Sequence, residues 1–144
     1  MVAYIATESR AEGAEELVVL SELTGGVEHR ISFGSIAAGA TALVWSPNEE
    51  YIALYAGVFS TQPRLVLVDV LSHLATEVPL QDTVAVDGDE DLVWACPEWN
   101  PTSDKLVLMV RHNGGYRLVT TDFEGNTTVL VDGLTRLSHP DWRM

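Results

Sequence analysis

The side chains with the most chemical potential sit in "VDGDEDLVWACPE", where Asp87, Asp89 and Asp91 take alternate positions and Glu98 follows eleven residues after Asp87. Hard carboxylate oxygens converging from one tight loop are what Ca²⁺ binds, and this spacing copies the first, third, fifth and twelfth ligand positions of an EF-hand loop. Two features oppose the match. The sixth position is Leu92, where the sharp turn of such a loop needs glycine, and no flanking helices are expected. The preferred reading of Asp87, Asp89 and Asp91 is a solvated acidic loop, with a Ca²⁺ site as its alternative. No other cofactor is expected.

Other chemistries are opposed more strongly. A nucleophile elbow would read Gly-x-Ser-x-Gly, whereas "FGSIAAG" has the wrong spacing and "GVFSTQ" does not match. His29, His73, His112 and His139 are scattered with no His-x-x-x-His or His/Cys grouping, so a zinc site is not expected. Phosphate-binding glycine loops are missing, and "RHNGGYR" reads as a hairpin. Cys96 is the single cysteine, which precludes an intrachain disulfide and leaves the redox compartment open. It reads as a buried, inert thiol. Catalytic residues are therefore not expected, and neither is an enzyme.

Charge narrows the partners. Twenty-one acidic residues against 8 basic ones give a net charge of −13 over 144 residues. That field repels nucleic acid and anionic membrane surfaces. No run approaches the roughly 20 apolar residues needed to cross a bilayer as a helix. The opening "MVAYIATESR" lacks the basic and apolar regions of a secretory signal. The expectation is a cytoplasmic protein if the chain is complete, and a periplasmic or extracellular one if it derives from a longer, processed parent. Asn126-Thr127-Thr128 has the form of a glycosylation sequon, which matters only in a eukaryotic secretory pathway.

These residues must be held by strands. Short runs rich in Val, Leu, Ile and Tyr recur: "VAYIA", "ELVVLSE", "ALVWS", "YIALYA", "RLVLVDV", "KLVLMV", "YRLVTTDF" and "TTVLV". Each is bounded by turn-forming residues, and none keeps a helical period over a dozen positions. The runs are near-continuous rather than strictly alternating, which predicts strands covered on both faces in stacked antiparallel sheets. The fold class is all-β.

The strands also repeat. "ALVWSPNEEYIALYAGVFSTQPRLVLVDVLSHLATEVP" and "CPEWNPTSDKLVLMVRHNGGYRLVTTDFEGNTTVLVDG" both read Trp-x-Pro, polar turn, apolar strand, loop, apolar strand ending in Asp, turn, final strand. Trp45 precedes Asp69 by 24 positions and Trp99 precedes Asp122 by 23. The first residues fit the same template from its second strand onward, with Glu22 in the Asp position and Gly25-Gly26 in the turn. Near the end, Pro140-Asp141-Trp142 repeats Pro97-Glu98-Trp99. Four antiparallel strands in about 40 to 55 residues make a β-propeller blade. The expected organisation is a single β-propeller-type domain over residues 1–144. It comprises strands b–d of one blade (1–40), two complete blades (41–86 and 93–133) and a terminal a strand (134–144).

The repeats resemble the WD40-like repeats of the TolB family, whose blades carry a Trp-Ser-Pro-Asp-Gly turn and a strand ending in Asp. The matching residues are Trp45, Pro47 and Asp69 in one unit, Trp99, Pro101 and Asp122 in the next, and Trp142 at the end. The Asp-Gly pair is replaced by Asn48-Glu49 and Thr102-Ser103. In this setting the tryptophans are structural, filling the wedge between blades. Trp94 stands outside the template. The resemblance implies a ring of six blades, of which this chain would supply half, and a homodimer is one way to close it. It also implies a non-enzymatic scaffold for a protein or peptide partner. The alternative is part of the gating propeller of a prolyl-oligopeptidase-type serine peptidase, and a lactonase-like propeller with a channel metal ranks third.

Overall fold

The computed structural model describes residues 1–10, 13–33, 43–56, 64–80, 97–112 and 115–135. Asp87, Asp89, Asp91, Trp94, Cys96, His139 and Trp142, and with them the acidic loop and nearly all of the expected terminal strand, lie outside the described residues.

The described chain consists of strands and turns. Strands β1 (Val2–Arg10), β2 (Gly13–Ser21) and β3 (Glu28–Ser32) form a first sheet in the order β1-β2-β3. The second sheet runs β4 (Val44–Trp45), β5 (Tyr51–Ala56), β6 (Arg64–Asp69), β7 (Leu74–Val78). The third runs β8 (Glu98–Trp99), β9 (Leu106–His112), β10 (Gly115–Thr121), β11 (Thr127–Leu134). Every pairing joins sequence neighbours and is antiparallel, so each sheet is a simple meander. β9 and β10 close on Gly115 opposite His112, the hairpin expected from "RHNGGYR". In a meander of this kind the a–b and c–d turns share one end of the sheet and the b–c connections take the other.

Two apolar layers hold the sheets together. In the first, Val18, Leu20, Ile31 and Phe33 of sheet one pack on Ile52, Leu54, Val66 and Val68 of sheet two. In the second, Ala53, Leu65, Leu67 and Val78 of sheet two pack on Trp99, Leu106, Leu108, Val110 and Val119 of sheet three. Alternate residues of β5 and β6 thus point to opposite neighbours, as the two-residue period of a strand requires. That is why "YIALYA" and "RLVLVDV" are near-continuous apolar runs. Each fully buried leucine contributes roughly 1.5–3 kcal/mol relative to exposure, which makes the inter-sheet layers the main source of stability. The other face of sheet one carries buried Leu17 and Val19 beneath polar side chains: Tyr4 donates to Glu28 at 3.3 Å, Arg30 pairs with Glu8, and the Ser32 hydroxyl donates to Glu15.

Candidate functional site

The shared turn end of the sheets is built from polar side chains that cap their own backbone. In the β4–β5 turn the Ser46 hydroxyl accepts from the Tyr51 N–H at 2.9 Å, and Glu49 N–H donates to the Ser46 carbonyl at 2.9 Å. In the β8–β9 turn Asn100 takes the serine's place, its Oδ1 accepting from the N–H groups of Asp104 and Lys105 at 3.1 and 3.0 Å. Pro47 and Pro101 are exposed at the second position of these turns, where a ring-fixed φ is favourable. Glu49 and Ser103 stand where the family turn has glycine, and both adopt left-handed backbone, with φ of 62° and 59°. Ser103 also links the blades, since its hydroxyl accepts from the Asn48 N–H at 3.1 Å.

The aspartates that end the third strand of each complete blade close the c–d turns. Asp69 Oδ1 accepts from the N–H groups of Leu71 and Ser72 at 2.9 and 2.8 Å. Asp122 Oδ1 accepts from Glu124 and Asn126 at 3.1 and 2.8 Å, and its Oδ2 accepts from the Asn126 side-chain amide at 2.8 Å. These bonds favour the ionised carboxylates. The Ser72 N–H is the main influence holding Asp69 below its usual range, and the Asn126 side chain is the main influence on Asp122. Asp104 is lowered in the same direction, chiefly by the Thr102 hydroxyl. In sheet one Gly25 donates its N–H to the Glu22 carbonyl at 3.1 Å with φ of 77°, and in sheet three Gly125 does the same toward Asp122 at 3.2 Å with φ of 85°.

Trp99 is 3% exposed, and its indole N–H donates to the Val44 carbonyl at 3.0 Å. One tryptophan therefore staples the inner strand of its own blade to the inner strand of the preceding one. Trp45 holds the corresponding position one blade earlier, half-buried against the first apolar layer. Around Trp99, Tyr51 and Phe123 complete an aromatic trio, with ring centroids 5.1 Å apart for Tyr51–Phe123, 5.8 Å for Trp99–Phe123 and 6.3 Å for Tyr51–Trp99.

Beside this trio the second and third sheets leave a cleft of about 250 Å³, lined by Tyr51, Leu67, Asp69, Ser72, Leu74, Thr76, Val78 and Phe123. Most of the lining is apolar or aromatic, with Asp69, Ser72 and Thr76 as its polar members. Leu74 in this lining is 64% exposed, and Leu71, one residue before Ser72, is 91% exposed. Of the residues singled out in the sequence, the structure brings Asp69 to this cleft and places Trp99 behind it. Asp122 caps the turn that presents Phe123. Tyr51, Leu74, Ser72 and Phe123 were not expected as site residues; the available signal was an aromatic directly after the Asp of "TTDF" and another at the start of "YIALYA".

No family model matches the sequence, and no curated protein is significantly similar to it. Solved structures are similar in fold. TolB from Acinetobacter baumannii superposes with a TM-score of 0.57 at 13% identity, over 90% of this chain and 30% of that one. The fold is that of a TolB-like β-propeller. The β-propeller domain of the Trilobed protease from Pyrococcus furiosus, described as having an open velcro topology, gives a TM-score of 0.56 at 16% identity over 88% of this chain and 39% of that one. An acylaminoacyl peptidase from Pyrococcus horikoshii gives 0.54 at 17% identity over 88% and 23%. The chain therefore spans between about a quarter and two-fifths of the length of these relatives, and its described sheets correspond to an arc of propeller blades.

Proposed function

We propose that this TolB-like arc is a non-enzymatic scaffold that binds a protein or peptide partner at the turn end of its blades. The observation that carries this reading is a concave inter-blade cleft whose lining includes Leu74, 64% exposed, next to the turn that holds Leu71, 91% exposed and one residue before the lining residue Ser72. Large apolar side chains held in water beside a concavity mark interaction surfaces. The turn that presents them is pinned by Asp69 and the turn that presents Phe123 by Asp122, each through its own backbone, so the surface is preorganised and little ordering entropy opposes binding. Random-sequence peptide display against the whole chain tests the reading. Enriched peptides should lose binding to Leu71→Lys and keep it for Leu130→Lys, a substitution at an exposed leucine on β11 away from the cleft. Failure to enrich any peptide, or equal binding to both variants, would refute it.

A second copy of the chain fits a separate observation. The Val44 carbonyl that receives the Trp99 indole comes from β4, on the inner side of β5, whereas among the described residues β1 is the edge of its sheet. We propose that a strand from a partner protomer adds along β1, supplying the equivalent carbonyl for Trp45 and extending the arc toward a six-bladed ring. Light scattering on the size-exclusion peak at micromolar concentration should give twice 15.7 kDa; a stable monomer would refute the ring.

A further inference from the structure

We infer that the cleft between the second and third blades receives an arginine or lysine side chain presented by the protein partner. The inference rests on the scaffold reading above and specifies the chemistry of its ligand. Size is the first constraint. At about 250 Å³ the cleft falls below the roughly 300–1,000 Å³ of pockets that enclose whole drug-sized ligands, and suits one long side chain entering from outside.

Wall chemistry is the second. Leu67, Leu74 and Val78 line the cleft with aliphatic surface, suited to the methylene stem of a long basic residue. Tyr51 and Phe123 present aromatic rings whose centroids lie 5.1 Å apart, and ring faces attract a guanidinium or ammonium. Asp69 stands among the lining residues as a carboxylate whose Oδ1 already accepts two backbone N–H groups at 2.9 and 2.8 Å. A carboxylate offers about four acceptor positions, so this one retains capacity for a charge-assisted bond. None of the eight lining residues is cationic. Arg64, the nearest basic residue in the strand sequence, donates instead to Glu77 at 3.2 Å and to the Phe33 carbonyl.

Charge complementarity is the third. A net charge of −13 draws a basic segment toward the surface and repels an acidic one. Neutral apolar anchors would satisfy the walls but leave the Asp69 carboxylate unused as an acceptor.

The test uses the full chain, ¹⁵N-labelled, titrated with the amides of Nα-acetyl-arginine, Nα-acetyl-lysine, Nα-acetyl-norleucine and Nα-acetyl-glutamine. The basic probes should shift the amide signals of Leu71, Ser72 and Phe123 and bind at least tenfold more tightly than norleucine amide. Asp69→Asn keeps an Oδ1 for the Leu71 and Ser72 N–H groups while removing the charge, and should erase that tenfold preference with the spectrum otherwise unchanged. Thr76→Trp, an exposed strand position that tolerates an aromatic, should fill the cleft and block all probes. Equal affinity for arginine and norleucine amides, or an unchanged preference in Asp69→Asn, overturns the inference. Display peptides that bind at Leu71 but carry no basic residue overturn it while leaving the scaffold reading intact; a failure of display selection removes both.

Discussion

Replacing Glu49 and Ser103 by glycine should move stability in opposite directions, because the structure gives the two residues the same backbone and different partners. Both sit in the left-handed region at φ near 60°, which costs a residue with a Cβ roughly 1–2 kcal/mol. Glycine relieves that strain but adds about 0.4–1 kcal/mol of unfolded-chain entropy. Glu49→Gly should therefore stabilise by about 0.5–1 kcal/mol. Glu49 is exposed, and its N–H bond to the Ser46 carbonyl does not need the side chain. In a chain of this size the gain corresponds to a rise in Tm of roughly 2–3 °C. Ser103→Gly obtains the same relief but deletes the hydroxyl that accepts the Asn48 N–H from the neighbouring blade. Leaving such a donor without its partner costs about 1–3 kcal/mol, so this variant should lose about 1 kcal/mol. Glu49→Ala removes the charge and keeps the Cβ, separating relief of acidic repulsion from relief of backbone strain, and should be close to neutral. Urea unfolding followed by far-ultraviolet circular dichroism reads all three. If both glycine variants shift the same way, or if Glu49→Ala stabilises as much as Glu49→Gly, the assignment of strain and inter-blade bonding is wrong.

Three further outcomes follow from the inter-blade contacts and turn caps. A Cβ on Gly125 would lie 1.9 Å from the Pro79 carbonyl oxygen, on a residue with φ of 85°, so Gly125→Ala should destabilise by at least about 2 kcal/mol in the same urea assay. Trp99→Phe strands the Val44 carbonyl and opens a gap in the second apolar layer, and should cost about 2–3 kcal/mol, measured by the shift in denaturation midpoint. Because Asp122 titrates lower in the folded chain than its unfolded value near 3.9, chiefly through Asn126, its contribution is fully present above about pH 4 and is lost as pH falls through the folded value. An acid titration of Asp122→Asn should consequently show a shallower loss of stability below pH 4 than the parent chain, and an unchanged acid profile would contradict the capping role.

Much of the fold is legible in the sequence because a propeller blade repeats its constraints. Trp-x-Pro followed about 24 residues later by Asp records three physical needs at once: a wedge filler, a turn with fixed φ, and a side-chain acceptor for the next turn. The continuous apolar runs of β5 and β6 are legible too, since only strands with neighbours on both faces need them. The turn backbone was harder to read. Glu49 and Ser103 take the left-handed conformation without glycine, and the sequence shows only that the glycine is missing. The cleft was not legible at all. Its walls come from β5, β6, β7, the β6–β7 turn and the β10–β11 turn, so it is a property of the mutual packing of two sheets that no single segment encodes. Asp69 was readable as a repeat position, yet its place in the lining of that cleft depends on where Phe123 of the neighbouring blade falls.

The most direct test of the account is a leucine-methyl NMR map of the chain with a display-selected peptide. Methyl signals of Leu67, Leu71 and Leu74 should move together on titration while Leu20 and Leu130 stay fixed. Shifts centred on Leu130, or spread evenly across the three sheets, would contradict a binding surface at the turn end between the second and third blades.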